Sequence, residues 1–361
     1  MKKATAKFRK TQKFRDFCDL GGIIVKKLRV GIAGLGRLGK VHANNLANKI
    51  PGAELVAACS IVPAELEYAQ KELGVTQVYT DFNEMIANPD IDAVAIVTTS
   101  SEHCWQIAAA LDAGKHVFSD KPLGVTLEEC QLAEQAVERH PDLTFVLGFM
   151  RRFDPSYAYA KKKIEAGAIG TPYLVKATGI DPEALVEGSI RFAHTSGGIF
   201  IDMAIHDIDL MRWFLGAEAT EVYALGATFK HPEFKEAGDD ETGVATYRFA
   251  NGAIGTIHVG RTAPHGYHIE TEIVGTEGSI RVSPVPAKNL AVLYDTNGVV
   301  TECVENFGER FADAYRLEME EFVDCALTGR KPGVSVYDGT ASTKIGFATT
   351  EAWKSGKVVA I

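Results

Sequence analysis

From Leu28 to Gly148, short apolar runs alternate with stretches whose apolar residues recur every three or four positions. The runs at 28–33, 54–59, 93–97, 116–118 and 144–148 read as strands. The periodic stretches near 38–48, 63–73, 102–113 and 127–139 read as helices. Ala93-Val94-Ala95-Ile96-Val97 is apolar throughout, as a strand buried on both faces should be, and the alternation implies a parallel sheet covered by helices. Beyond Arg152 the texture changes. Segments 173–180, 221–230, 242–250, 253–261, 267–275 and 278–283 are β-rich and joined by turns such as Asn251-Gly252 and Thr276-Glu277-Gly278. They predict a large, open, mostly antiparallel sheet. One helix over about 199–215 interrupts it, and helices over 312–328 and 338–355 close the chain. The fold class is α/β: a doubly wound parallel sheet over 26–149, then an α+β domain over 150–361 whose last helix is free to pack back on the first.

A length of 361 residues also suggests two domains, at roughly 150 residues each. Residues 1–25 stand apart: Lys2, Lys3, Lys7, Arg9, Lys10, Lys13 and Arg15 crowd there, and Arg15, Asp16 and Asp19 break the stretch from Phe14 to Leu20. This is not a secretory signal, and we expect a poorly ordered extension or a fraying helix. A net charge of −9 excludes broad binding of nucleic acid. No apolar run approaches the ~20 residues that a membrane span needs. The six cysteines are scattered, without a close pair or metal-ligand spacing, so a cytoplasmic protein with reduced thiols and no metal is expected.

The chemistry begins at Gly34-Leu35-Gly36-Arg37-Leu38-Gly39, which follows the first strand and opens a helix. In that context the first glycine permits a tight turn and the second lets the backbone approach a pyrophosphate. The third lets helix and strand pack closely. The acid that usually holds the ribose about twenty residues on is replaced by Ser60. With no Lys or Arg over 60–66 to welcome a 2′-phosphate, NAD is favoured, and NADP is the weaker alternative. Arg37 is the cation nearest that question. Thr98, Thr99, Ser100 and His103 follow the third strand at its carboxyl end, where ligands of parallel sheets bind. A plain capping turn reads as well for any one of them. Asp120-Lys121-Pro122 follows the fourth strand on the same edge. Proline holds the lysine extended, and that amine is a candidate donor to a substrate oxygen, although a surface Lys-Pro is the plainer reading of the dipeptide alone. Asp202 and His206 share one face of the predicted helix. An imidazole steadied by a carboxylate is a natural general base, with Asp207 and Asp209 left solvated or paired with Arg212.

Taken together, GLGRLGKVH at 34–42, AGKHVFSDKPLG at 113–124 and GGIFIDMAIHDIDLMRW at 197–213 resemble the Gfo/Idh/MocA oxidoreductases over residues 26–361. Gly148-Phe149-Met150-Arg151-Arg152-Phe153-Asp154 and Gly266-Tyr267-His268-Ile269-Glu270 look most like the inositol 2-dehydrogenases within that family. The resemblance implies that Lys121, Asp202 and His206 are catalytic, with Asp202 holding the imidazole. It also implies that Met150, Arg151 and Tyr267 contact a polyol, and that NAD accepts hydride from a ring hydroxyl carbon. Asp120 stands where the family has glutamate, Thr99 where proline is common, and Ser60 where the ribose-binding acid is common. Two rivals are carried: a sugar dehydrogenase acting on an aldopyranose, and a non-catalytic nucleotide-sensing regulator. A homotetramer is expected through the open sheet, whose bare face would include Val244, Thr246 and Phe249, or Ile254, Ile257 and Val259.

Overall fold

The computed structural model describes residues 17–20, 23–194, 196–283, 287–296 and 298–361, so the expectation for residues 1–16 lies outside the described residues. Residues 17–26 depart from the expected extension. Phe17–Leu20 (β1) and Ile23–Lys26 (β2) pair antiparallel, with Phe17 opposite Lys26. Gly21-Gly22 between two apolar runs is a hairpin signal, which the surrounding charges obscure in the sequence.

The chain divides into two compact units. The first comprises residues 1–120, 132–148 and 315–335, and the second 121–131, 149–314 and 336–361. This differs from a single boundary at 149/150, because residues 315–335 cluster with the first unit and 121–131 with the second.

In the first unit, Leu28–Ala33 (β3), Ala53–Cys59 (β4), Gln77–Tyr79 (β5), Ala93–Ile96 (β6), His116–Asp120 (β7) and Phe145–Gly148 (β8) form a parallel sheet. Its order is β5-β4-β3-β6-β7-β8. Helices Arg37–Asn48 (α1) and Pro63–Leu73 (α2) follow β3 and β4. Strand β5 is too short, and its pattern too polar, to stand out in the sequence. Val30, Ile32, Ala95, Phe118 and Val146 fill the core with Met319, Phe322 and Val323. Phe322 is wholly buried, with its ring 6.0 Å from that of Phe118. Burial of one such side chain contributes about 1.5–3 kcal/mol, enough to hold this late segment in the first unit's core. The chain order reverses between β3 and β6, and the crevice at the carboxyl ends of such strands is where parallel sheets bind ligands.

The second unit is built on a seven-stranded sheet. Its strands are Pro172–Pro182 (β9), Ala219–Ala227 (β10), Thr242–Phe249 (β11), Ile254–Ala263 (β12), His268–Gly275 (β13), Ser279–Val282 (β14) and Val359–Ala360 (labelled β15). All neighbouring pairs are antiparallel except β9 with β12, where Leu174 lies opposite Ile254. Helices press on one face. The Cβ that Gly243 lacks would lie 2.7 Å from the Phe200 ring, and that of Gly255 would lie 2.4 Å from Met211 Sδ. The pleat corrects the expected bare face. Phe249, Ile257 and Val259 belong to the buried side with Ala245 and Tyr247, whereas Val244, Thr246 and Ile254 are on the open side with Tyr223 and Leu225. No helix among the described residues is long and apolar enough to cross a membrane.

Candidate active site

In the first unit the glycine turn does what its spacing predicts. Gly34 has φ +86°, and a Cβ there would sit 2.3 Å from the Val97 carbonyl oxygen. A Cβ on Gly39 would come within 2.1 Å of Gly34 O. Gly36, by contrast, has nothing within 4 Å of where its Cβ would be, and it precedes α1 without a side-chain cap. The first turn of α1 carries no acidic residue. Amide N–H groups at a helix start, open space in front of them and no opposing charge make a seat for a pyrophosphate. The turn therefore fits a dinucleotide. Leu35 is buried beneath it, Leu38 is half-buried, and Arg37 is exposed on its rim.

The other residues expected around a nucleotide are more occupied than the sequence suggests. Thr98 Oγ1 donates to Gln106 Oε1 at 2.7 Å, and a His103 ring nitrogen lies 3.2 Å from Thr98 O, so both brace their own turn. Thr99 is exposed and Ser100 half-exposed. Asp120 ends β7 half-buried, in the field of the buried Glu318. Ser60 is buried and donates to Glu65 Oε2 at 2.6 Å.

In the second unit Lys121 precedes Pro122 across a cis peptide bond. Its ammonium donates to the backbone oxygen of Asp202 at 3.1 Å and stands 3.8 Å from Asp202 Oδ1. The helix predicted over 199–215 is two helices, Ile199–Asp202 and Ile205–Leu215. At the break the amides of Met203 and Ala204 both reach Ile199 O, and the Asp202 carbonyl takes the Lys121 ammonium. A short loss of helical hydrogen bonding is compensated by a charge-assisted one.

The predicted Asp202–His206 pairing is therefore corrected. Among the described residues, the partners of the Asp202 carboxylate are Lys121 and Arg261, whose Nη1 donates to Asp202 Oδ2 at 3.2 Å. Arg261 is wholly buried and also reaches Asp239 Oδ2 at 3.4 Å. Asp239 in turn accepts from the Ile199 amide, at the start of the helix that ends in Asp202. His206 is buried beside the Phe149 ring, and its Nδ1 has no hydrogen-bond partner among the described residues. Burial first, then the positive charges of Lys121 and Arg151, push its pKa well below the usual histidine value. The imidazole is thus neutral at neutral pH, the form from which a general base must start.

Asp207 is unlike its expected state, and Asp209 keeps the expected Arg212 ion pair but has a closer partner. Both are buried: Arg151 Nη1 donates to Asp207 Oδ1 at 2.5 Å, and Arg152 donates twice to Asp209 at 2.8 and 2.5 Å. Arg212 stands 3.8 Å from Asp209. Two adjacent arginines thus neutralise two carboxylates of one helix, an arrangement that sequence spacing cannot show. Met150 and Tyr267 are buried near this cluster, and the Tyr267 hydroxyl, its pKa raised by burial, faces Arg151.

Sequence reasoning missed three groups. Arg261 and Asp239 are ordinary charges until burial shows otherwise. Asp181, at the end of β9, lies in the field of Asp202, Arg261 and Lys121. Burial, then the Asp202 charge, pushes its carboxyl up to about 6. Only its place one residue beyond the predicted strand hints at it. No group of three or more metal-ligating side chains occurs among the described residues.

Comparison with known proteins finds two family models in succession along the chain. Residues 28–148 match the model of the oxidoreductase family, NAD-binding Rossmann fold, and residues 157–281 match the GFO/IDH/MocA C-terminal domain. The chain is 38% identical over 333 residues to the scyllo-inositol 2-dehydrogenase (NAD(+)) of Bacillus subtilis, covering 92% of this chain and 96% of that one. The solved scyllo-inositol dehydrogenase of Lactobacillus casei, with bound NAD(H) and scyllo-inositol, is 46% identical with a TM-score of 0.91, over 93% of this chain and 99% of that one. The myo-inositol 2-dehydrogenase of Lactobacillus plantarum is 41% identical with a TM-score of 0.91, over 93% of this chain and 100% of that one.

Proposed function

The chain belongs to the GFO/IDH/MocA oxidoreductase family, and from that premise we propose that it oxidises one ring hydroxyl of an inositol to the ketone. NAD, held on the glycine turn at 34–39, supplies the hydride acceptor. The observation that carries this reading is the cluster of Lys121, Asp202 and Arg261 with a neutral, buried His206 in one unit. His206 takes the hydroxyl proton. Lys121, held by the backbone oxygen and carboxylate of Asp202, stabilises the negative charge that develops on the oxygen. Asp202 acts through the ammonium rather than the imidazole. A polyol offers no charge to grip, so discrimination rests on hydrogen bonds to each hydroxyl, and Arg151, Tyr267 and Asp181 are the polar groups we assign to it, with Met150 as their apolar neighbour.

A panel of myo-inositol, scyllo-inositol and aldopyranoses, read by NADH absorbance, tests this. Turnover confined to the sugars favours the sugar dehydrogenase, and NAD binding with no turnover favours the regulator. We also assign the enzyme to the cytoplasm and the open sheet face, with Tyr223, Leu225, Val244 and Ile254 exposed, to the contact of a homotetramer. A stable, active monomer in light scattering would overturn that assembly.

A further inference from the structure

We propose that Glu65 supplies the carboxylate missing from position 60 and is the group by which this enzyme selects NAD over NADP. The inference rests on the nucleotide reading above and adds the residue that sets its specificity. The end of β4 is fixed against the glycine turn, because the Gly34 amide donates to Cys59 O at 2.9 Å. Ser60, the next residue, is therefore where a ribose-binding acid would stand. Its hydroxyl is already committed: it donates to Glu65 Oε2 at 2.6 Å and accepts the Val62 amide at 3.0 Å.

The serine therefore acts as a bracket for Glu65. That residue sits in the first turn of α2 and is only half-buried, and its second oxygen accepts no hydrogen bond among the described residues. A carboxylate oxygen with open lone pairs, held at the end of β4, is suited to two ribose hydroxyls and opposed to a 2′-phosphate. An independent feature marks the same turn as a nucleotide surface. Ile61 is 87% exposed and Val62 44%, an apolar pair beside Ser60 that an adenine ring would cover. Lys40 lies over the Tyr68 ring at 4.8 Å, and Tyr68 is three residues along α2 from Glu65. Lys40 is the cation we assign to a 2′-phosphate once the Glu65 charge is gone. Through it, loss of one negative charge would shift the preference toward the 2′-phosphate.

The test uses the whole enzyme and two readouts. Calorimetry compares adenosine 5′-monophosphate with adenosine 2′,5′-bisphosphate, and kinetics compares kcat/KM for NAD+ and NADP+. In wild type both ratios favour the ligand without the 2′-phosphate. Glu65→Gln, which keeps shape and removes charge, is expected to shift both toward the 2′-phosphate by about tenfold or more. Ser60→Ala, which frees Glu65, is expected to shift them in the same direction by a smaller factor. If NAD+ binds normally and Glu65→Gln leaves both ratios unchanged, the role of Glu65 is overturned and the NAD reading stands. Wild type that binds none of these nucleotides overturns both.

Discussion

The glycine turn at 34–39 and the charged cluster around Lys121 are built on opposite principles. The turn depends on what is missing: three side chains whose Cβ atoms would strike Val97 or Gly34, or would fill the space before α1. The cluster depends on side chains that would be unstable alone and are held by each other, Lys121 to Asp202, Asp202 to Arg261, Arg261 to Asp239. A backbone site tolerates change around it but none in it. A buried charge network transmits every change, because each removed partner leaves an uncompensated charge behind.

The largest effects should separate the two regions most cleanly. Lys121→Ala and His206→Ala are each expected to lower kcat by about 10³-fold or more while NAD+ affinity stays within a few-fold of wild type. Stopped-flow turnover and calorimetry on the same preparations check both halves. Near-normal turnover in either variant would remove that residue from the chemistry. Gly39→Ala should show the converse. Its methyl would lie 2.1 Å from Gly34 O, so NAD+ affinity should fall by roughly 100-fold, whereas folding of the second unit should be retained. Unchanged affinity would mean that the turn does not seat the pyrophosphate.

Arg261 sharpens the contrast. Arg261→Met leaves Asp202 and Asp239 without their shared cation, and stability should drop by about 3–5 kcal/mol. Arg261→Lys keeps one charge and loses the fork. It should fold, with kcat reduced about tenfold and KM little altered, because it misplaces Asp202 rather than removing a substrate contact. An equal fall in both variants, or a change in KM alone, would rule out positioning.

The smallest effect is a pH signature. Asp181 has its carboxyl raised to about 6, so the folded state holds that proton more tightly than the unfolded chain. Its stabilising contribution is complete below the unfolded value of about 3.9 and is lost as pH rises through about 6. In the pH profile of kcat/KM, ionisation of Asp181 should add a rising limb near pH 6, because the carboxylate accepts hydrogen bonds from hydroxyls better than the acid does. Asp181→Asn should erase both the limb and the stability slope. A limb near 6 that survives the substitution assigns it elsewhere.

Much of the scaffold was legible in the residues. The strand at 28–33 and the helices at 63–73 and 127–139 were read at their observed bounds, because local periodicity and punctuation by glycine and proline specify them. The helix at 199–215 was read as continuous, because nothing in Asp202-Met203-Ala204-Ile205 breaks a helix; the break coincides with the Lys121 ammonium occupying the Asp202 carbonyl, 81 residues away in sequence. The same limit applies to the open sheet face. Phe249, Ile257 and Val259 differ in parity from Val244, Thr246 and Ile254, so the pleat turns them to the buried side.

The sequence by itself determined much of the succession of elements and the glycine turn, and it marked Lys121, Asp202 and His206 as candidates, since each is imposed by backbone conformation or by side-chain type within a few residues. Tertiary structure alone decided who pairs with whom: Arg151 with Asp207, Arg261 with Asp202, Ser60 with Glu65. The physical reason is that a charge or hydroxyl acquires its role from the partner and the burial that folding brings to it. Neither is written at its own position in the chain.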